Sequence, residues 1–318
     1  MIATGNPPPG TLDPVSRWLV LTRAAVLPMT LTAAAVAGLL AVGEPGFSPL
    51  LWGLAMLGLV LAHVANNLMN DLFDLKVGTD TADYPRALYA PHPILSGLAT
   101  RRQLAAAALF ANVADLVVLA LLVAARGWLV AVFAVAGFVL SAAYTAPPLR
   151  LKKRGLGEPS VLVVWGPLMV GGTYLAAVGR LPASVLADSL PYALLCTSVL
   201  MGKHIDKLEW DAPKGVRTLP VILGERTSRT LTWGLMAAFY PLVAGLVVVG
   251  ALPWPALLAL GGLTRFAAVG RAFGRPRPLE PPPGFPVWPL WYAPLAFVHA
   301  RRAGALLVAG LAAAALIG

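Results

Sequence analysis

The hydrophobic positions of this chain fall into long continuous runs separated by short polar segments. Each run comes close to the length of about 17–25 residues that an α-helix needs to cross a bilayer. The pattern predicts an all-α, polytopic membrane protein with nine transmembrane helices. The predicted spans cover residues 18–42, 49–71, 102–124, 127–146, 159–178, 184–204, 229–251, 253–271 and 301–317. The segment Phe285–Ala300, which is rich in Trp and Pro, is predicted to lie at the membrane interface.

Composition agrees with this pattern and excludes a soluble globular protein. Hydrophobic residues make up 58% of the chain and charged residues 12%, and the mean hydropathy is +0.76. The Lys and Arg residues behind the net charge of +10 lie at the N-terminus and in or beside residues 72–101, 147–158, 205–228 and 272–302, apart from Arg126 and Arg180. Basic loops favour the cytoplasmic side, so we predict a protein of the cell (plasma) membrane with its N-terminus and polar loops in the cytoplasm. The sequence offers no soluble basic domain, and no nucleic-acid partner is predicted.

The ends of the chain and its single cysteine add little chemistry. Residues 1–16, which include Pro7-Pro8-Pro9, are predicted to form a flexible tail rather than a signal peptide. Residues 17–318 are predicted to form one transmembrane domain. Cys196 falls within the sixth span, where we expect it to pack against other helices, and a disulfide within one chain is excluded.

The polar run Asn66–Asp74 stands at the end of the second apolar run, where charges are costly. At about 100° per residue, Asn67, Asp71 and Asp74 fall within roughly 60° of each other on one helix face, with Asn70 beside them. Such a cluster of carboxylate and amide oxygens suits a hard cation such as Mg²⁺. A solvated helix end is the alternative interpretation of this segment taken alone.

A second acidic group, Asp206, Glu209 and Asp211, follows the sixth apolar run in the same way. On a straight helix Asp206 and Glu209 share a face, and Asp211 lies about 140° away. Pro213 disfavours a helical conformation in the residue before it. We therefore predict that the helix ends near residues 210–212 and lets Asp211 turn toward the first acidic group. A surface array of ion pairs with neighbouring Lys residues is the alternative.

A basic loop follows the fourth apolar run. Four cations occupy five positions of this loop, namely Arg150, Lys152, Lys153 and Arg154. Taken alone, these charges are typical of a signal that sets membrane topology. Together with two acidic groups that could hold Mg²⁺, they provide the groups needed to bind a pyrophosphate and to neutralise it as a leaving group.

These motifs, in this order, resemble those of the UbiA superfamily of intramembrane prenyltransferases. The matching runs are Asn67-Leu-Met-Asn-Asp71-Leu-Phe-Asp74 with Gly78-Thr79-Asp80, the stretch from Tyr144 to Arg154-Gly-Leu-Gly-Glu158, and Asp206-Lys-Leu-Glu209-Trp-Asp211 with Gly215-Val-Arg-Thr218. The resemblance covers nearly the whole chain from about Arg17. Its details are most similar to the branch that prenylates dihydroxynaphthoate in menaquinone synthesis. Leu75, Lys207 and His92 depart from the family pattern.

The resemblance implies nine helices around a central cavity, and Mg²⁺-assisted transfer of an isoprenyl group from an isoprenyl diphosphate to an aromatic acceptor, with a naphthoate quinone precursor as the expected acceptor. The metal ligands that it implies are Asp71, Asp74, Asp206, Glu209 and Asp211. The residues expected to bind the diphosphate are Asn67, Asn70, Arg23, Arg86, Lys152, Lys153 and Lys203. Tyr144 is expected either to stabilise the allylic cation through its ring face or to anchor the end of its span at the interface.

Two other functions use parts of the same pattern. A terpene cyclase of the UbiA type would ionise the same diphosphate and close the cation on its own double bonds. A cation-coupled transporter would also carry acids within its spans. The transporter predicts acids near the middle of the bilayer in inverted repeats, whereas nearly all acids of this chain lie in or near loops.

Overall fold

Apolar helices form nearly the whole of the computed structural model, which describes residues 12–76, 78, 81, 83–285 and 287–317, with only the backbone of Arg86 and Tyr89. Within these residues, eight helices are long and apolar enough to cross a membrane. A ninth apolar helix, of 17 residues, stands where the fourth span was predicted. The helices in chain order are α1 (Ala24–Ala41), α2 (Pro49–Lys76), α3 (Arg101–Arg126), α4 (Leu129–Thr145), α5 (Gly157–Val178), α6 (Ala183–Asp206), α7 (Glu225–Val248), α8 (Trp254–Phe273) and α9 (Tyr292–Ile317). The all-α, membrane-spanning fold predicted from the hydrophobic pattern is confirmed.

The last helix begins earlier than the pattern predicted. α9 starts at Tyr292, so the second half of the segment Phe285–Ala300, which was predicted to lie at the interface, belongs to this helix. Its first turn is capped from another helix, because the two carboxylate oxygens of Asp206 accept hydrogen bonds from the backbone N–H groups of Tyr292 and Ala293, both at 2.8 Å. A negative group at a helix N-terminus stabilises it through the unpaired N–H groups and the helix dipole. The tertiary contact thus sets where α9 begins.

A short helix precedes α1 and begins inside the predicted tail. This helix, Pro14–Leu21, is capped by Asp13, whose Oδ1 accepts from the N–H groups of Val15 and Ser16 at 2.9 and 3.1 Å. Proline at the first helical position has a φ suited to the helix and lacks the N–H that would stay unpaired there. The other residues of the predicted tail, 1–11, lie outside the described residues.

Small residues bring the helices of the bundle into close contact. A Cβ atom at Gly202 of α6 would lie 2.8 Å from the backbone carbonyl of Tyr292 in α9. A Cβ atom at Gly166 of α5 would lie 2.8 Å from that of Ala193 in α6. Close backbone approach at small residues is the usual means of helix association in lipid, where the hydrophobic effect gives no preference for helix over lipid contacts.

A cavity of about 280 Å³ lies among α2, α3, α4 and α5. Most of its lining is apolar. At one end, Asn66 of α2 accepts a hydrogen bond from the Ser141 hydroxyl of α4 at 2.7 Å. These two residues lie one helical turn before Asn70 and Thr145, so this end of the cavity leads to the polar end of the bundle, where α2, α4 and α6 all terminate. Asp115 lines the cavity further from that end.

The wall that α5 contributes is irregular. Residues Val164–Gly171 are π-helical and contain Pro167, which cannot donate a backbone hydrogen bond. Such a widened turn shifts the side chains around it relative to a regular helix. Trp165 and Leu168 of this stretch line the cavity. The irregular segment therefore shapes the apolar space beside the polar end.

Candidate active site

Asp71 of the first acidic motif is fully buried on α2 and forms an ion pair with Arg23. Arg23 lies in the turn before α1 and has a φ of 56°, a conformation that residues other than glycine seldom adopt. The same turn is held by Asn67, whose Nδ2 donates to the carbonyl of Thr22 at 3.1 Å. The turn thus brings a cation that was predicted to bind diphosphate to the first acidic motif.

Asp74, one turn further along α2, pairs with the basic loop. Its Oδ2 lies 3.2 Å from the Lys152 ammonium, and the two side chains are only 14% and 8% exposed. At the same level, the Thr145 hydroxyl at the end of α4 donates to Asn70 Oδ1 at 3.2 Å. The hydrogen bond from Thr145 therefore holds the start of the basic loop against α2. Lys152 points to the acidic motif rather than to solvent.

Lys153, the next residue of this loop, is half-buried. Burial lowers the pKa of its ammonium, and the nearby charges of Arg150 and Lys152 lower this pKa further. Asp74 and Asp211 act in the opposite direction. Lys153 therefore lies within electrostatic range of one acid from each motif.

A break in the helix divides the second acidic motif. α6 ends at Asp206, Lys207 departs from helical geometry, and the one-turn helix Leu208–Asp211 follows. The helical segment ends at Asp211, as the position of Pro213 predicted, but the helix is already interrupted at Lys207. Asp206 and Asp211 consequently contact different partners.

Asp211 lies near the first motif, since Lys153 is within electrostatic range of both Asp211 and Asp74. It is fully buried, and its Oδ1 accepts a hydrogen bond from the Tyr84 hydroxyl at 2.6 Å. Its Oδ2 is buried and has no hydrogen-bond partner among the described residues. The Tyr144 hydroxyl lies within electrostatic range of both Asp211 and Asp74. The two acidic motifs therefore border one space, with Tyr144 beside it.

The structure does not bring the other two acids of the second motif to this space. Both oxygens of Asp206 accept backbone N–H groups at the start of α9, which leaves this buried carboxylate in a capping role. The Glu209 carboxylate pairs with Arg277 at 3.2 Å and is 73% exposed. Because of these contacts, we leave Asp206 and Glu209, which were predicted as metal ligands, out of the site that we propose below.

This difference leads to a testable expectation. Asp206→Ala leaves two N–H donors buried without an acceptor, so it should lower the free energy of unfolding by about 2 kcal/mol. The thermal midpoint of the purified protein should fall, while turnover at a temperature below the transition stays close to that of the parent. Glu209→Ala, at an exposed position, serves as the control and should change neither. If Asp206→Ala loses turnover while its thermal midpoint is unchanged, Asp206 would be a metal ligand rather than a helix cap.

Two further residues, Lys203 and Arg86, were predicted to bind the diphosphate. Lys203 is half-buried on α6, one turn before Lys207. The side chain of Arg86 and the residues Thr79 and Asp80 lie outside the described part of the chain.

Several residues that the sequence did not assign to the site also border it. The ring of Tyr84 lies beneath the Lys207 ammonium, which is 4.3 Å from its centroid. Glu158 at the start of α5 contacts His204 of α6, and His204 contacts Tyr144. Tyr84 and Asp211 are 127 positions apart, and Glu158 and His204 are 46 apart. No local periodicity links residues at such separations.

Hard oxygen donors predominate where the two motifs meet. They comprise the carboxylates of Asp71, Asp74 and Asp211 and the amides of Asn67 and Asn70. This set fits Mg²⁺, which takes one or two protein carboxylates and keeps other positions for water and phosphate oxygens, and the unpartnered Oδ2 of Asp211 is a suitable ligand atom. In the described ranges, no three Asp, Glu, His or Cys side chains are grouped so that they could hold a metal ion by themselves. A bound metal would therefore be shared with the oxygens of an anion, which Arg23 and Lys152 also attract.

Comparison with known proteins identifies relatives of this chain. The sequence profile of the UbiA prenyltransferase family matches residues 30–283. A 1,4-dihydroxy-2-naphthoate octaprenyltransferase of Bacillus subtilis is 29% identical over 60% of this chain and 61% of its own length, so the alignment spans less than two thirds of that relative. Proteins of the same description from Haemophilus influenzae and Mycobacterium tuberculosis are 27% and 33% identical, over 76% and 64% of this chain and 80% and 68% of their own lengths.

Solved structures share the fold. The apo structure of a UbiA homolog from Aeropyrum pernix K1 superposes with a TM-score of 0.66 at 18% identity, covering 91% of this chain and 98% of that one. A UbiA homolog from Archaeoglobus fulgidus, solved bound to GPP and Mg²⁺, gives a TM-score of 0.58 at 16% identity over 92% and 99% of the two chains. At these identities the likeness establishes the fold.

Proposed function

This chain belongs to the UbiA prenyltransferase family, and we propose that it transfers an isoprenyl group from an isoprenyl diphosphate to a carbon of an aromatic acceptor. The observation that carries this proposal is the convergence of two acidic motifs and a basic loop at the polar end of an apolar cavity. The acidic groups suit a divalent cation, the basic groups suit a diphosphate, and the cavity suits a hydrocarbon tail. A single ligand, a prenyl diphosphate with its metal, combines these three requirements.

Each group at the polar end then has a defined role. Arg23, Lys152 and Lys153 bind the diphosphate oxygens and neutralise their charge, with Lys203 and Arg86 as further candidates. Asp71, Asp74 and Asp211 would supply carboxylate ligands from the two motifs to divalent cations bound together with the diphosphate, and Asn67 and Asn70 would orient these ligands. When bound, Mg²⁺ supplies positive charge that stabilises the diphosphate as it leaves. The buried ion pairs of Asp71 with Arg23 and of Asp74 with Lys152 keep these opposite charges in place before substrate binds.

The apolar cavity completes the reaction. The allylic C–O bond breaks, and its electron pair leaves on the diphosphate. A carbon of the electron-rich aromatic ring then forms the new C–C bond to the allylic cation, and the ring proton at that carbon passes to an oxygen of the released diphosphate. Because the cavity walls are mainly apolar, water that would capture the cation is excluded. Tyr144 presents its ring face to the cation at the polar end.

We propose a dihydroxynaphthoate-like quinone precursor as the acceptor. Three relatives described above carry the name 1,4-dihydroxy-2-naphthoate octaprenyltransferase. Another relative, from Synechocystis, is named 2-carboxy-1,4-naphthoquinone phytyltransferase, and one from Natronomonas pharaonis is named digeranylgeranylglyceryl phosphate synthase. Naphthoate acceptors recur among these names, and this supports the choice. We further propose that the domain 17–318 lies in the plasma membrane with the polar end in the cytoplasm, where its basic residues favour it.

Product analysis tests the proposed function. Purified protein is incubated with Mg²⁺, a series of isoprenyl diphosphates and several aromatic acids, and products are identified by mass. We expect a product whose mass is that of the acceptor plus the prenyl group less the ring hydrogen or carboxyl group that it replaces, formed only when both substrates are present. A hydrocarbon or alcohol formed without acceptor would instead establish a terpene cyclase. Uptake of a cation by reconstituted vesicles with no turnover of diphosphate would favour a transporter.

The basic loop allows its two roles to be separated. In Leu151→Lys/Lys152→Gln the charge moves by one position, so the orientation of the protein in the membrane should be unchanged. Because Lys152 reaches Asp74, we expect KM for the isoprenyl diphosphate to rise by roughly tenfold, as for the loss of one charged hydrogen bond. KM for the acceptor should change little. The control Leu151→Lys/Arg150→Gln makes the same shift on the neighbouring cation and should have the smaller effect. Parental kinetics in both variants would leave the loop with a purely topological role.

A further inference from the structure

Three side chains from three helices, two of them buried and one half-buried, form a continuous hydrogen-bonded chain beside the acidic motifs. Glu158 Oε1 at the start of α5 lies 2.7 Å from His204 Nδ1 near the end of α6. His204 Nε2 lies 3.3 Å from the hydroxyl of Tyr144 near the end of α4. Glu158 and His204 are only 2% and 1% exposed. The chain thus joins the ends of three helices at the point where the reacting groups would meet.

The direction of these hydrogen bonds follows from the groups themselves. A carboxylate only accepts, so the imidazole of His204 carries a proton on Nδ1 and donates it to Glu158. In the neutral tautomer of His204, Nε2 is an acceptor, and the Tyr144 hydroxyl donates to it. The single proton of the phenol is committed to His204. The phenol oxygen and the ring are left electron-rich, which strengthens the attraction of the ring face for a cation.

Close packing fixes the ring from the other side. A Cβ atom at Gly157 would lie 3.1 Å from Cε2 of Tyr144, so the backbone at the start of α5 touches the ring edge. Residue 157 therefore has to be small for the ring to keep its place. Gly157 and Glu158 are adjacent in sequence, so one turn of α5 sets both the position of the ring and, through His204, the direction of its hydroxyl.

Packing alone does not account for Glu158. Its Oε2 is buried and has no hydrogen-bond partner among the described residues. A buried carboxyl group with one hydrogen bond destabilises a fold relative to an apolar side chain of similar size. Glu158 lies within electrostatic range of Tyr144, and Tyr144 is also within range of Asp74 and Asp211, which places Glu158 beside the site.

We propose that Glu158 and His204 are positioning residues, which hold the ring and hydroxyl of Tyr144 in the orientation that stabilises the allylic cation. This inference rests on the proposed prenyl transfer, and it assigns to that reaction two residues outside the acidic and basic motifs. Neither residue touches the diphosphate in this scheme. Their substitution should therefore act on turnover rather than on binding of the donor.

The first measurement compares two substitutions of Glu158. Glu158→Gln keeps an oxygen that accepts from His204 Nδ1, and its kcat should stay near that of the parent. Glu158→Leu removes the acceptor, and we expect kcat to fall by roughly tenfold or more, because small misplacements of catalytic groups have effects of this size. KM for the isoprenyl diphosphate should stay within about twofold of the parent, since donor binding is not changed. Equal losses in both variants, or a loss confined to KM, would overturn the proposal.

The second measurement is a double-mutant cycle with Tyr144→Phe. If Glu158 and His204 act through the Tyr144 hydroxyl, Glu158→Leu and His204→Leu should cause no further loss of kcat in the Tyr144→Phe background. Losses that multiply would show independent roles and overturn the proposal. His204→Gln keeps polar atoms in the pocket and serves in the same cycle if a leucine variant does not fold.

A second Tyr–His pair provides a matched control. The Tyr240 hydroxyl lies 2.8 Å from His299 Nε2 in the contact between α7 and α9, outside the site. His299→Leu should lower thermal stability and leave kcat of the folded protein unchanged. The parent reaction separates the two proposals: a parent that forms no prenylated product refutes the proposed function. An active parent whose kcat is unaffected by Glu158→Leu refutes only the positioning roles.

Discussion

Asp211→Asn should lower turnover by roughly 10²–10³-fold, an effect typical of losing a group that stabilises developing charge in a catalytic site. The substitution keeps the size of the side chain and an oxygen that can accept from Tyr84, but it removes the negative charge. In the proposed site that charge holds the divalent cation through Oδ2, which has no other partner among the described residues. The measurement is kcat with saturating isoprenyl diphosphate and acceptor. Asp71→Asn and Asp74→Asn should have effects of similar size.

The control for this prediction is another buried aspartate. Asp188 of α6 is 3% exposed, and its Oδ1 also has no hydrogen-bond partner within the described residues. Asp188→Asn is therefore the same chemical change at a similar depth of burial, but it lies near the start of α6, at the other end of the helix from the motifs. It should retain parental turnover. Parental turnover in Asp211→Asn as well would confine the metal site to α2 and contradict the joint site.

Removal of divalent cations should abolish turnover completely and reversibly. The proposed ligands are carboxylate and amide oxygens, so Mg²⁺ or Mn²⁺ should restore activity after chelation. The measurement is turnover of protein dialysed against excess chelator and then supplied with single metal ions. Full activity in excess chelator would contradict the proposed mechanism.

Thermal unfolding tests the same metal site without a measurement of turnover. Inorganic pyrophosphate with Mg²⁺ should raise the thermal midpoint of the protein, because a ligand that binds only the folded state stabilises it. Since metal and anion share the site, neither alone should have the full effect. In Asp211→Asn the stabilisation should be reduced, whereas in Asp188→Asn it should remain. Equal stabilisation of both variants would place the anion elsewhere.

Local patterns of the chain were enough to predict its membrane helices and the first half of its site. Eight of the predicted spans begin and end within several residues of helices in the structure, because each is a continuous apolar run that satisfies its own backbone hydrogen bonds. The spacing of Asp71 and Asp74 was enough to place both on one helix face, because helix geometry is local. The order of the motifs was enough to indicate the family.

Other features depend on partners that are distant in sequence. The sequence predicted that Asp206 and Asp211 would act together. In the structure Asp206 caps the start of α9, whereas Asp211 accepts a hydrogen bond from Tyr84. The start of α9 was predicted to lie at the membrane interface. No residue near Tyr292 in the sequence indicates that the distant carboxylate of Asp206 caps this helix.

By itself, then, the sequence determined the nine apolar helices, their order and the two acidic motifs with the basic loop. Only the tertiary structure decided which acids face the shared space, and only it joined Glu158, His204 and Tyr144. The physical reason is the range of the interactions. Apolar runs and helical faces depend on neighbours a few residues apart, whereas a buried charge takes its role from whichever group the packed helices place beside it.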